Sequence, residues 1–204
     1  MRPLVFFTYK FGKYFDNFVY GGIEYWYLLE FLYIIYMRKI CVKEVAMFFP
    51  VMVDLSAMEV LVVGGGRIAC RKVKKLLEFG GRVKVIAPEF CKELYSLAQS
   101  MDEGKSLTMI SRAFEVTDLE GQDLVYLATD DKDLNGRIGD LCRSKKILVN
   151  RLDDHRASSF INMATTNKEY RDQEVLHAVS CFGENPSLTK DLCKKLDEEF
   201  LEDK

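Results

Sequence analysis

The chain has 204 residues, a formal net charge of −2 and 49% apolar residues, which excludes a disordered chain and a strongly basic one. It is long enough for one well-built core, or for one domain and an appendage. There is no global pull toward nucleic acid, so any anion-binding role must be local.

Residues 1–46 differ in character from the remainder of the chain. They hold most of the aromatics, in runs such as "YWYLLEFLYIIYMRK". The span Gly21 to Met37 raises a membrane question, but Glu24 and Glu30 are each costly at bilayer depth. Arg38, Lys39 and Lys43 come after it, as they would on the cytoplasmic side of a span. A spanning helix and a peripheral or partner-docking amphipathic helix are two readings. The favoured third is an upstream extension outside the functional domain, with Met47 as the working start and "MFFPVMVDL" opening the domain. No secretory signal with a small-residue cleavage site is visible.

From Met58 the pattern is regular. "MEVLVVG" reads as a buried parallel strand. "RIACRKVKKLLEFGG" places Ile68, Ala69, Val73, Leu76 and Leu77 at helical spacing, with Gly80 and Gly81 as the stop. "RVKVIAPE" is the second strand and "FCKELYSLAQSM" a helix. "SLTMISRAF" is a third strand or edge, "DLVYLATDD" a fourth, "KDLNGRIGDLCRSK" a helix and "KILVNRLDD" a fifth strand. This alternation means βαβ units and an α/β, doubly wound parallel sheet. After Asp154 the alternation stops. "SSFINMATT" and "EVLHAVSC" read as two strands around a polar turn. The last helix has Asn185 as N-cap, Pro186 at its first position and an apolar stripe of Leu188, Leu192, Leu196 and Phe200. A second copy of the chain is the expected cover for that stripe. The expected organisation is an extension (1–46), a Rossmann domain (47–154) and a small α+β dimerisation and substrate region with a C-terminal helix (155–204).

The stretch "VLVVGGGRIACRKV" contains G-x-G-x-x-A at Gly64, Gly66 and Ala69, after a strand and before a helix. That is the context a dinucleotide fingerprint requires. Gly64 permits the tight turn, Gly66 lets backbone approach a pyrophosphate, and Ala69 allows close helix–strand packing. The helix N–H groups then face the phosphates. The acidic residue expected about 20 residues on is displaced. Its place reads Ile86-Ala87-Pro88-Glu89, so either Glu89 or the backbone of Pro88 and Glu89 serves the ribose. No Arg stands at that strand end for a 2′-phosphate, which favours NAD over NADP. "ATDD" and "NRLDD" lie at the ends of strands four and five, where open α/β sheets bind ligands. A carboxylate there acts as general acid or base, or caps a helix or turn. Asp131 or Asp133 is the expected cap. Arg151, His155 and Arg156, with Lys132 and Arg137, form either a basic rim for an anionic small substrate or a solvated surface.

Four patterns together resemble the precorrin-2 dehydrogenase family, the NAD-binding module of siroheme synthases, over Phe48 to about Leu196. They are F-P-x-x-x-D-L, V-G-G-G-x-x-A-x-R-K, A-T-D-D-x-x-L-N and N-x-x-D. The resemblance implies a homodimer that oxidises precorrin-2 to sirohydrochlorin while reducing NAD⁺. It implies that Gly64, Gly65, Gly66, Arg67, Ile68, Pro88 and Glu89 hold the dinucleotide, with Thr129 nearby. Asp153 matches the family's general acid/base. A tetrapyrrole rich in carboxylates gives Arg151, His155 and Arg156 a substrate-binding purpose. The sequence departs from the family at Ser180-Cys181-Phe182-Gly183, where members tend to carry Ser-(Ser/Thr)-Gly-Gly. The short helical tail and the lack of a methyltransferase domain lead us to expect a monofunctional form without a metal site, against a bifunctional dehydrogenase and ferrochelatase. A non-catalytic NAD- or tetrapyrrole-binding module is the alternative from another class. The six cysteines lack metal-ligand spacing and read as reduced thiols of a cytoplasmic protein.

Overall fold

The computed structural model describes residues 48–101, 106–170 and 172–202. The expectations for residues 1–46 and for a start at Met47 lie outside them.

The expected parallel sheet is present. Its strands are β1 (Glu59–Val63), β2 (Arg82–Ala87), β3 (Ser106–Ser111), β4 (Leu124–Leu127) and β5 (Leu148–Arg151). They run in the order β3-β2-β1-β4-β5 and every pairing is parallel. The helices between them are α1 (Arg67–Glu78), α2 (Lys92–Gln99) and α3 (Lys132–Ser144). Successive strand residues feed opposite faces. Val60 and Val62 pack with Ala69, Val73, Leu76 and Leu94 from α1 and α2. Leu61 and Val63 pack with Ile138 and Cys142 from α3. Both faces are thus covered, which explains why the strands are continuous apolar runs rather than alternating ones.

Helix ends follow the sequence chemistry. Asp131, not Asp133, caps α3, its Oδ1 accepting from Leu134 N–H at 2.9 Å. After α1, Gly80 takes φ +75° and Gly81 N–H returns to the Leu76 carbonyl at 3.0 Å, closing the helix as a glycine C-terminal motif.

The sixth strand begins later than the sequence suggests. "SSFINM" is not strand; β6 is Ala164–Tyr170 and pairs antiparallel with β7, Gln173–Val179. The reason is tertiary. The Ser159 hydroxyl accepts from Val149 N–H at 2.7 Å, the Ser158 hydroxyl accepts from Arg151 N–H at 2.8 Å, and Asn150 Nδ2 donates to the Phe160 carbonyl at 2.8 Å. Side chains therefore lash this segment to β5. Lys72 of α1 holds its far end, donating to Asn162 Oδ1 at 3.4 Å while sitting 6.0 Å from the Tyr126 ring centroid.

The last helix, α4 (Pro186–Glu202), starts as expected, with Asn185 Oδ1 accepting from Leu188 N–H at 3.0 Å. It packs on the β6–β7 hairpin, where Thr166 donates to Asp197 at 2.6 Å and Cys193 is buried. The leucine stripe is on its open side: Leu188, Leu192 and Leu196 are all exposed, and the Phe200 side chain lies outside those described.

Candidate functional site

The chain leaves β1, builds outward to β3, then crosses back to β4. β1 and β4 therefore part at a topological switch point, the place where such sheets bind ligands. Gly64 to Gly66 occupy it.

Each glycine answers a different demand. Gly64 takes φ +123°, and a Cβ there would lie 2.5 Å from the Ala128 carbonyl oxygen of the neighbouring strand end. A Cβ on Gly65 would overlap the Glu89 carbonyl oxygen. Gly66 caps α1 with no side-chain hydrogen bond, and a Cβ there would meet nothing within 4 Å. The backbone at Gly66 is thus open, and no side chain competes for the first N–H groups of α1. An opening lined by such donors fits a pyrophosphate. Arg67 and Ile68 are exposed beside it, and Ala69 is fully buried against the sheet. Pro88 and Glu89 lie on the surface just after β2; the Pro88 carbonyl accepts from the Ser111 hydroxyl at 2.9 Å.

A chain of contacts runs from this loop to the end of β5. Gly64 abuts Ala128 and Thr129. The Thr129 hydroxyl donates to Asn135 Oδ1 at 2.6 Å, and Asn135 Nδ2 donates back to the Thr129 carbonyl at 3.0 Å. Asn135, fully buried on α3, lies near enough to Asp153 to help hold its carboxyl down. Arg151 grips Asp153 with Nη2–Oδ2 2.7 Å and Nε–Oδ1 3.3 Å, and their side chains are only 13% and 12% exposed. The Arg151 stem crosses α3 at Gly139, where a Cβ would lie 3.3 Å from its Cδ. Burial pushes the Asp153 carboxyl up. Hydrogen bonds from Arg151 and from its own backbone, together with the Arg151 charge and the nearby Asn135 amide, overcome this and hold it below its ordinary value of 3.8. Asp153 is therefore ionised at neutral pH, the form in which a carboxylate can take up a proton.

The basic rim is not a free positive patch. Arg151 belongs to Asp153. Arg156 Nη2 meets Glu184 at 3.0 Å, and His155 Nε2 stands 3.7 Å from the same carboxylate. The His155 ring rests on Gly183, where a Cβ would come within 2.7 Å. Lys132 and Arg137 are exposed on α3 and form no ion pair among the described residues. Sequence reasoning gave Asn135 no role, although it closes the A-T-D-D-x-x-L-N pattern; its distance in sequence from Asp153 hid their contact. Among the described residues no group of three or more His, Cys, Asp or Glu could hold a metal ion.

A five-stranded parallel sheet with a glycine loop at the switch point defines a doubly wound dinucleotide-binding protein. Residues 51–164 match the domain family described as "Putative NAD(P)-binding", and the chain belongs to that family. It is similar to the siroheme synthases of Pseudoalteromonas atlantica and Actinobacillus pleuropneumoniae serotype 3, at 35% and 38% identity over 150 residues. Those matches cover 74% of this chain but only 31% and 29% of the relatives' own lengths. Among solved structures, SirC, a precorrin-2 dehydrogenase, superposes with a TM-score of 0.60 at 28% identity, covering 74% of this chain and 71% of that one.

Proposed function

We propose that this protein is an NAD-dependent precorrin-2 dehydrogenase, oxidising precorrin-2 to sirohydrochlorin on the way to siroheme. The observation that carries the reading is the contact chain Gly64–Thr129–Asn135–Asp153, which sets an ionised carboxylate beside the glycine loop. The names of the similar proteins supply the substrate class.

Gly64, Gly65 and Gly66 give backbone to the pyrophosphate, Arg67 and Ile68 flank it, and Pro88 and Glu89 meet the ribose. Thr129 fixes the loop's neighbour strand. Bound NAD⁺ supplies the hydride acceptor, and the protein supplies position and charge. Asp153 accepts the proton that the substrate loses. Arg151 keeps Asp153 ionised and aimed, and it meets a substrate carboxylate at the cleft edge. His155 and Arg156 exchange Glu184 for substrate carboxylates, joined by Lys132 and Arg137. The exposed Leu188, Leu192 and Leu196 stripe supports a homodimer, testable by light scattering of the eluted protein. No helix among the described residues is long and apolar enough to cross a membrane. We assign the protein to the cytoplasm on its free thiols.

The covered state of Asp153 favours one second reading, a module that binds NAD or tetrapyrrole without turnover. Anaerobic incubation with precorrin-2 and NAD⁺ separates the two. Steady NADH formation is expected. A protein that binds NAD⁺ and never reduces it is the binding module. Fe²⁺ or Co²⁺ added afterwards tests metal insertion in the same vessel.

A further inference from the structure

The turn before α4 is made from a residue that resists its conformation. Glu184 N–H donates to the Cys181 carbonyl at 3.0 Å, closing a four-residue turn over Phe182 and Gly183. Phe182 takes φ +53° and Gly183 φ +82°, the pattern of a type I′ turn. Asn, Asp and Gly make such turns readily, whereas a bulky residue with positive φ is an outlier that costs free energy. No packing offsets that cost here. The Phe182 side chain is exposed, and among the described residues it meets neither a second ring nor a cation. Other exposed rings are engaged: Lys75 Nζ lies 4.8 Å from the Phe79 ring centroid, and Tyr95 meets Phe90 edge-on at 5.9 Å.

The turn is seated on the cations beside Asp153. A Cβ on Gly183 would lie 2.7 Å from His155 Cδ2, so the turn backbone rests on the imidazole. Glu184, the next residue, takes Arg156 at 3.0 Å and faces His155 Nε2 at 3.7 Å. His155 and Arg156 stand on the short turn that opens directly after Asp153, where Asp154 Oδ1 accepts from Arg156 N–H at 3.1 Å. Phe182 is thus one residue from the backbone that touches His155, at the edge where the cations lie. Strain kept in an exposed residue at such an edge points to a ligand.

We infer that Phe182 is a stacking residue for the substrate, laying its ring on the flat conjugated face of the tetrapyrrole while His155 and Arg156 take carboxylates at its rim; this rests on the reading of the substrate as a tetrapyrrole. The two chemistries are complementary. Cations hold the periphery of a polycarboxylate ring and leave its apolar face in water. An aromatic ring offset over that face removes both surfaces from water and adds a favourable ring–ring geometry.

The test titrates the full chain with sirohydrochlorin, followed by quenching of the macrocycle's fluorescence, and separately with NADH. Phe182→Gly suits the turn better than the native residue, so a failure to fold does not confound it. Sirohydrochlorin affinity should weaken about tenfold, and the KM for precorrin-2 should rise by a similar factor. NADH affinity should not change. Phe182→Tyr keeps the ring and should bind sirohydrochlorin within about twofold of wild type. Unchanged sirohydrochlorin affinity in Phe182→Gly overturns the inference, as does a loss that Phe182→Tyr shares or one that extends to NADH. A loss that comes with a changed oligomeric state on light scattering makes Phe182 a subunit contact and overturns it too. Wild-type protein that binds NADH but no sirohydrochlorin overturns the tetrapyrrole reading and the inference with it.

Discussion

In the parallel sheet, Val60 to Val63 are at most 2% exposed, whereas on the closing helix Leu188, Leu192 and Leu196 keep 44%, 38% and 38%. The sheet has helices on both faces and completes its own core. The hairpin and α4 bury Cys193 between them and leave an apolar stripe open. The site's parts divide the same way. Gly64, Thr129, Asn135 and Asp153 are fixed by the sheet and α3, while His155 and Arg156 depend on the loop before α4, through Gly183 and Glu184. On the proposed reading, one region supplies a rigid cofactor platform, and the other supplies adjustable cations and leaves an apolar stripe open.

Substitutions can break or sharpen this contrast. The largest effect belongs to the sheet: Leu61→Ala removes a fully buried side chain and should cost about 2–5 kcal/mol in urea unfolding. Leu192→Ala should cost no more than about 0.5 kcal/mol in the isolated protomer. Equal losses would erase the distinction between the regions. Gly65→Ala forces a Cβ into the Glu89 carbonyl and should cost about 1–3 kcal/mol. NADH titration of the same variant should show affinity falling with it.

Asn135→Ala leaves the Thr129 carbonyl and hydroxyl without their buried partner, a loss of about 1–3 kcal/mol in thermal or urea unfolding. It also removes one group that helps hold the Asp153 carboxyl down. A base works above its pKa, so raising that pKa moves the acid limb of the pH–rate profile to higher pH. A profile that stays in place would show that Asn135 supports the fold but not the carboxylate. A further effect comes from the other region and has the opposite sign. Phe182 takes φ +53°, in the left-handed region that favours glycine. Phe182→Gly should raise stability by about 1 kcal/mol by calorimetry, since the strain is relieved.

The sheet and its loop were legible in the sequence because the parallel strands are buried on both faces and their apolar runs end in glycine or turn residues. "VLVVGGG" and "ATDD" mark both sides of the switch point without any long-range knowledge. The rest depended on partners far along the chain. "SSFINM" reads as strand until Ser158, Ser159 and Phe160 are seen bonded to β5. The leucines of α4 read as a stripe left over for a partner, and they are exposed, but their spacing did not reveal that Cys193 is the buried residue of the helix. Arg151 looks like a free cation for substrate, but the turn after β5 folds Asp153 back onto it. Asn135 stood in a motif whose spacing named it without revealing what it touches.

The central claim is that an ionised Asp153 works beside a dinucleotide held by Gly64 to Gly66. Asp153→Asn tests it most directly, with NAD⁺ binding and NADH formation from precorrin-2 measured on the same preparation. The account predicts unchanged NAD⁺ affinity and turnover reduced about 100-fold or more, the loss expected for a general base. Full NADH production by Asp153→Asn would contradict it.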